Sequence, residues 1–350
     1  MKKWSVLCGL ILLAWCGFNF ISPGKRVAFR WPLPDHVTRS FHSSNFPDRE
    51  NPLSREGFEL GRRLFYDARL SKTQTISCAS CHIQQFAFSD TARFSRGIHG
   101  RTGDRNSMSL ANIGWSSRFF WDGRAEHLKE QIHNPVIDTR EMGNTWEDII
   151  TYVRSEAYYR AAFRKAFPKE KIGEQTIKKA LEQFVSNIYA FDSRYDAYFY
   201  KGQPVFTEQE KAGMKLFNGK AGCSGCHNTV LFTNHQFMNN GLDSIPVHGL
   251  YNATGVPTDR GLQKTPSLRN VAITPPYMHD GRFQTLEAVL EFYNTRVQGS
   301  SPNLDFRMAP FTGRNGLGLS REEQQAIIAF LHTLTDSTLL HHPMYGDPWK

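Results

Sequence analysis

Apolar residues recur along the chain at helical spacing, in blocks separated by long polar stretches. Ser54-Arg55-Glu56 reads as a helix start, and Leu60, Leu64 and Phe65 follow on one face before a loop from Tyr66 leads to Cys78. Thr207-Glu208-Gln209-Glu210 starts a second helix of the same design, with Leu216, Phe217 and a shorter loop to Cys223. Residues 145–167 and 174–200 between them read as amphipathic helical stretches, with Tyr152, Phe163, Phe184 and Tyr195 as expected core aromatics. Helices are also predicted over 125–132 and 285–293. A closing helix over 320–334 carries a Ser-x-x-Glu capping pattern at Ser320 and Glu323. No strand alternation stands out, so the chain is expected to be mainly α with long loops.

Both loops end in the same pentapeptide type, C-x-x-C-H: Cys78-Ala-Ser-Cys81-His82 and Cys223-Ser-Gly-Cys226-His227. Two thiols and the following imidazole are what a c-type haem needs, the cysteines forming thioethers and the histidine ligating iron. Zinc would need four ligands per site, and the only other cysteines, Cys8 and Cys16, lie near the N-terminus. The repetition extends further. Asn106 to Asn112 is answered by Thr265 to Asn270, and nine residues after each closing Asn comes Trp121-Asp122-Gly123-Arg124 or His279-Asp280-Gly281-Arg282. The expected architecture is two tandem cytochrome c-like haem domains, residues 54–203 and 204–345, joined near Pro204 and preceded by an extended arm over 23–53.

Superposing the copies distinguishes the two irons. Fourteen residues on from Trp121 lies Pro135, and fourteen on from His279 lies Tyr293. A tyrosine oxygen can ligate haem iron, whereas proline has no side-chain donor. One iron is therefore expected between His227 and Tyr293, with Met278 and Met308 as alternative donors. The other is expected on His82 with an open distal face near Pro135. Gln131 and Glu141 follow Trp121 by ten and twenty residues, and Glu141 is the candidate for moving a proton during peroxide cleavage. Gln131 could orient peroxide, and Trp121 could relay electrons. Outside the repeat, Glu141 would read as a surface carboxylate and Trp121 as a core ring.

Residues 1–22 run from Met1-Lys2-Lys3 through an apolar stretch to Ile21, in the order of a secretory signal. A cleaved signal, an uncleaved anchor and a lipid anchor all fit, and export to the periplasm agrees with haem attachment. The net charge of +9 favours an acidic partner or is solvated surface. No arginine-rich tract or motif points to nucleic acid.

Together, the two C-x-x-C-H motifs, Phe120-Trp121-Asp122-Gly123-Arg124-Ala125, Glu141-Met142 and Pro276-Tyr277-Met278-His279-Asp280-Gly281-Arg282 carry a family likeness. The chain resembles the bacterial di-haem cytochrome c peroxidases and their MauG relatives. The resemblance implies a periplasmic enzyme that reduces hydrogen peroxide to water with electrons from a small cytochrome or copper protein. Electrons would enter at the second haem and pass Trp121 to the peroxidatic first haem, where Glu141 and Gln131 fall on the family's peroxide pocket. It also implies calcium held by the Asn106 side chain and the carbonyls of Thr274 and Pro276, and a homodimer in many members. Two departures matter. Tyr293 stands where the peroxidases usually carry Met, as in MauG-like members. Ile98, beside His99, stands where many have a His that blocks the first iron. The first haem is therefore expected to be accessible without reductive activation. The competing readings are peroxide-dependent oxidation of a protein substrate through high-valent haem, a di-haem electron carrier and a redox sensor. The open face speaks against the carrier and Glu141 against the sensor.

Overall fold

The structure, a computed structural model, describes residues 33–40, 51–313 and 316–350. The segment read as a signal or anchor lies outside the described residues. Helix α1 (Asp35–Ser40) precedes α2 (Arg55–Tyr66), α3 (Leu128–Ile137), α4 (Trp146–Ser155), α5 (Ala157–Ala166), α6 (Glu174–Val185) and α7 (Arg194–Phe199). The second half holds α8 (Glu208–Asn218), α9 (Tyr251–Thr254), α10 (Leu286–Thr295), α11 (Arg321–His332) and α12 (Ser337–His341). A short ribbon pairs β1 (Phe237–Met238) antiparallel with β2 (Gln263–Lys264), two residues per strand and too short to show as alternation. No described helix is long and apolar enough to cross a membrane.

Capping follows the sequence closely. The Ser54 side chain accepts from the Gly57 amide, and Thr207–Glu210 and Ser320–Glu323 form reciprocal capping boxes at α8 and α11. Each half is then built on one close helix crossing. A Cβ added at Gly61 of α2 would lie 1.9 Å from the Ala180 carbonyl oxygen of α6, and one at Gly213 of α8 would lie 1.9 Å from that of Ala326 in α11. Only glycine lets these backbones touch. Phe58, Leu64, Phe65 and Phe184 fill the first core, and Phe217, Ile327, Phe330 and Leu331 the second.

The loops repeat as well. Asn112 and Asn270 both adopt the left-handed conformation, at φ 60° and 62°. The Asn112 amide donates to Ile188 O and its Oδ1 accepts from the Ala190 amide; Asn270 makes the same pair with Leu334 O and the Asp336 amide. This pairing explains why the stretch expected as one helix over 174–200 breaks after α6: the Asn112 side chain takes up backbone groups that a continuing helix would use. The stretch over 145–167 likewise divides, at Glu156, whose backbone is extended. The helix expected over 125–132 starts only at Leu128, because Ala125 pairs with Phe119. Part of the expected extended arm is helical: α1 buries Val37 beside Trp115, Phe191 and Leu231.

Arg269 and Asp196 join the halves through two hydrogen bonds of 2.8 Å, with both side chains fully buried. Burial alone would push the Asp196 carboxyl up, but the Arg269 guanidinium and Ser193 hold it below its ordinary value. Arg269→Met leaves that carboxylate buried with only Ser193 and His36 beside it and no guanidinium, and should cost about 3–5 kcal/mol. Thermal unfolding measures this as a clear drop in midpoint; an unchanged midpoint contradicts the structural role.

Candidate functional site

Each C-x-x-C-H motif forms one turn of 3-10 helix. The His82 amide donates to Cys78 O at 3.0 Å and the His227 amide to Cys223 O at 2.9 Å, so the same turn closes each motif and sets its histidine beside its cysteines. His82 Nδ1 lies 2.9 Å from Phe88 O and His227 Nδ1 lies 3.2 Å from Phe232 O. A carbonyl at that position holds the ring proton on Nδ1 and leaves the Nε2 lone pair for a metal. Phe88 and Phe232 both have positive φ, which turns these carbonyls inward. Burial keeps the rings neutral, pulling His227 down to about 4.

The cysteines are unpaired, and burial pushes Cys78 and Cys223 up to about 12 and Cys81 up to about 11. A redox-active dithiol needs the opposite shift. No group of three or more potential metal-ligating His, Cys, Asp or Glu residues occurs among the described residues. Two thiols and one anchored imidazole facing an apolar cavity fit covalent haem in both halves.

The first cavity is lined by Cys78, Cys81, His82, Gln131, Pro135 and Glu141, so it joins these candidates in one space and leaves Trp121 outside it. Gln131 and Pro135 come from α3, and Glu141 from the turn after it. The backbone of that turn is fixed by hydrogen bonds from the Glu141 amide to Asp138 O and from the Ile98 amide to Glu141 O. Burial pushes the Glu141 carboxyl up, helped by Asp138 and opposed by Arg124 and Arg140. Ile98 is buried against Gly143, while His99 is exposed and does not line the cavity.

The second cavity is lined by Cys223, Cys226, His227 and Tyr293, and also by Met278 and Met308. The Tyr293 oxygen accepts from Asn240 Nδ2 at 3.0 Å. Burial pushes this phenol up to about 12, and the Asn240 donor works against that by favouring the anion. Trp121, Asn106, Thr274 and Pro276 line the same cavity. Trp121 Nε1 donates to Asn106 O at 2.9 Å, and Ser107 Oγ donates to Cys81 O at 3.1 Å. One short backbone stretch thus connects the first haem motif to Trp121. The sequence reading missed Asn240, whose loop is longer than its counterpart in the first copy. It also missed the two imidazole-holding carbonyls, although a Phe at a similar distance after each His was a usable signal.

The sequence profile described as di-haem cytochrome c peroxidase matches residues 55–204. The methylamine utilization protein MauG of Methylorubrum extorquens is 34% identical, over 82% of this chain and 80% of its own. The cytochrome c551 peroxidase of Nitrosomonas europaea is 33% identical, over 81% of each. The chain belongs to the di-haem cytochrome c peroxidase family. Members are oxidoreductases acting on peroxide, and the family name specifies two haem c groups. A solved MauG-like protein associated with microbial copper homeostasis superposes on 92% of the chain, at a TM-score of 0.81 and 37% identity. The diheme peroxidase BthA of Burkholderia thailandensis covers 85%, at 0.74 and 25%.

Proposed function

We propose that this family member is a periplasmic peroxidase in which residues 54–203 carry the peroxidatic haem and residues 204–345 the electron-transfer haem. Each hydrogen peroxide takes two electrons and two protons and leaves as two waters. The observation that carries this reading is Glu141 and Gln131 sharing an apolar cavity with Cys78, Cys81 and His82, opposite a proline that offers iron no side-chain donor. When bound, the haems supply stored electrons and an iron that polarises the O–O bond. Gln131 orients peroxide, and Glu141 takes a proton from its near oxygen and returns it to the departing one. His227 and Tyr293 hold the second iron, and Trp121 lies on the route between the two sites. Asn106 and the carbonyls of Thr274 and Pro276 form a calcium site of neutral oxygens, consistent with the oxygen preference of that ion. A small cytochrome or copper protein donates the electrons, and a homodimer is the expected assembly.

Tyr293 at the position where the peroxidases usually carry Met favours a second reading: MauG-like use of peroxide to oxidise a protein partner. Mixing the oxidised holoprotein with one equivalent of peroxide tests the open site. A prompt change in its optical and electron-spin spectra is expected, whereas a response only after one-electron reduction shows a blocked first iron. Steady turnover with reduced small donors then separates the two readings.

A further inference from the structure

Lys264 is a cation without an anion. Its side chain is 3% exposed, and its ammonium donates only to Ser116 Oγ at 3.2 Å and Arg118 O at 2.9 Å. Among the described residues no carboxylate lies within ion-pair distance of it. Asp305, the one carboxylate lining the same cavity, is already paired with Arg307. A buried charge held by neutral oxygens alone is costly. Beside it stand two more groups without partners: His235 Nε2, and both ends of the Gln263 amide. All three residues line the cavity that also holds Cys223, Cys226 and His227. Burial pulls Lys264 down to about 8, and Lys264 helps to pull His235 down to about 4, so the two are close enough to feel one another.

A haem attached at Cys223 and Cys226 brings two propionate carboxylates into this cavity. We propose that Lys264, with Gln263 Nε2 and His235 Nε2, receives a propionate of the second haem and serves as its counter-charge. An ammonium has three N–H donors and two are taken, leaving one for the carboxylate. The Lys264 backbone amide donates to Trp121 O at 2.8 Å, so the same residue ties this carboxylate site to the loop bearing the relay tryptophan. The inference rests on the second cavity being a haem site.

The test is spectroelectrochemistry and resonance Raman on holoprotein, with haem stoichiometry measured first. A nearby cation favours the ferrous state, so Lys264→Met should lower the second haem's midpoint potential. The expected shift is about tenfold in the ferric-to-ferrous ratio, or 59 mV for one electron. Its propionate bending band should move as well, whereas Lys264→Arg should retain both values. Gln263→Leu, which removes no charge, should move the band with little change in potential and serves if Lys264→Met fails to fold. Two haems attached, with potential and band unchanged in both Lys264→Met and Gln263→Leu, would overturn the proposal, as would a shift confined to the first haem. A single haem in the wild type overturns the two-haem reading itself.

Discussion

Glu141→Gln is expected to slow peroxide turnover by about 10²–10⁴-fold, the usual contribution of a positioned acid–base group. The substitution keeps shape and removes only the ability to take a proton. Glu141 must accept a proton, so its working form is the carboxylate, and burial pushes its carboxyl above the ordinary glutamate range. Wild-type turnover should therefore fall as pH drops through that raised value, and the variant should lack this limb. The stability effect has the opposite sign. With its pKa raised in the folded state, Glu141 holds a proton more tightly folded than unfolded, and stability is lost as pH rises through that value. Glutamine removes the loss, so the variant's melting midpoint at neutral pH should be no lower than that of the wild type. Slower turnover without lost stability identifies a residue kept for chemistry at a cost to the fold. Unaltered turnover removes Glu141 from the mechanism.

Much of this site was legible because the chain repeats itself. Pro135 and Tyr293, aligned by counting from Trp121 and His279, each occupy the eighth position of a ten-residue helix, α3 and α10. The turns ahead of those helices match too: Phe119 pairs with Ala125 and Tyr277 with Phe283, with Gly123 and Gly281 both at positive φ. Counting along one copy therefore predicts position in the other wherever neither has insertions. The correspondence ends where the copies differ. The loop from Asn228 to Gln263 is longer than its counterpart, and it carries His235, Asn240 and the ribbon that positions Lys264. These residues gain meaning only from burial, since a lysine in a polar loop reads as solvated until its ammonium is found enclosed. The tail was hidden for a similar reason. The Gln84 amide donates to Leu339 O and His342 O, so the end of the chain returns to the first haem motif, a long-range contact that no local pattern announces.

Tyr293→Phe is the second large expected effect, and it separates the two copies most directly. The ring stays packed between Phe292 and Phe311, at 4.9 Å and 6.0 Å between centroids, so the variant loses one oxygen and little packing. That oxygen carries two features of a ligand. It lies in the cavity of Cys223, Cys226 and His227, and Asn240 donates to it, which favours the phenolate over the phenol. A phenolate stabilises ferric iron, so its removal should raise the second haem's potential and replace its low-spin signature with a high-spin one, read by electron-spin resonance and potentiometry. Met278 supplies the informative exception. Its sulfur lies 3.8 Å from Asn240 Nδ2, on the same side of the cavity as the Tyr293 oxygen. If it takes over, the haem stays low-spin while its potential rises, because a thioether favours ferrous iron, and Tyr293→Phe/Met278→Leu then becomes high-spin. Only an unchanged spin state together with an unchanged potential is incompatible with Tyr293 as the ligand, and that result would make the tyrosine a packed core residue hydrogen-bonded to Asn240.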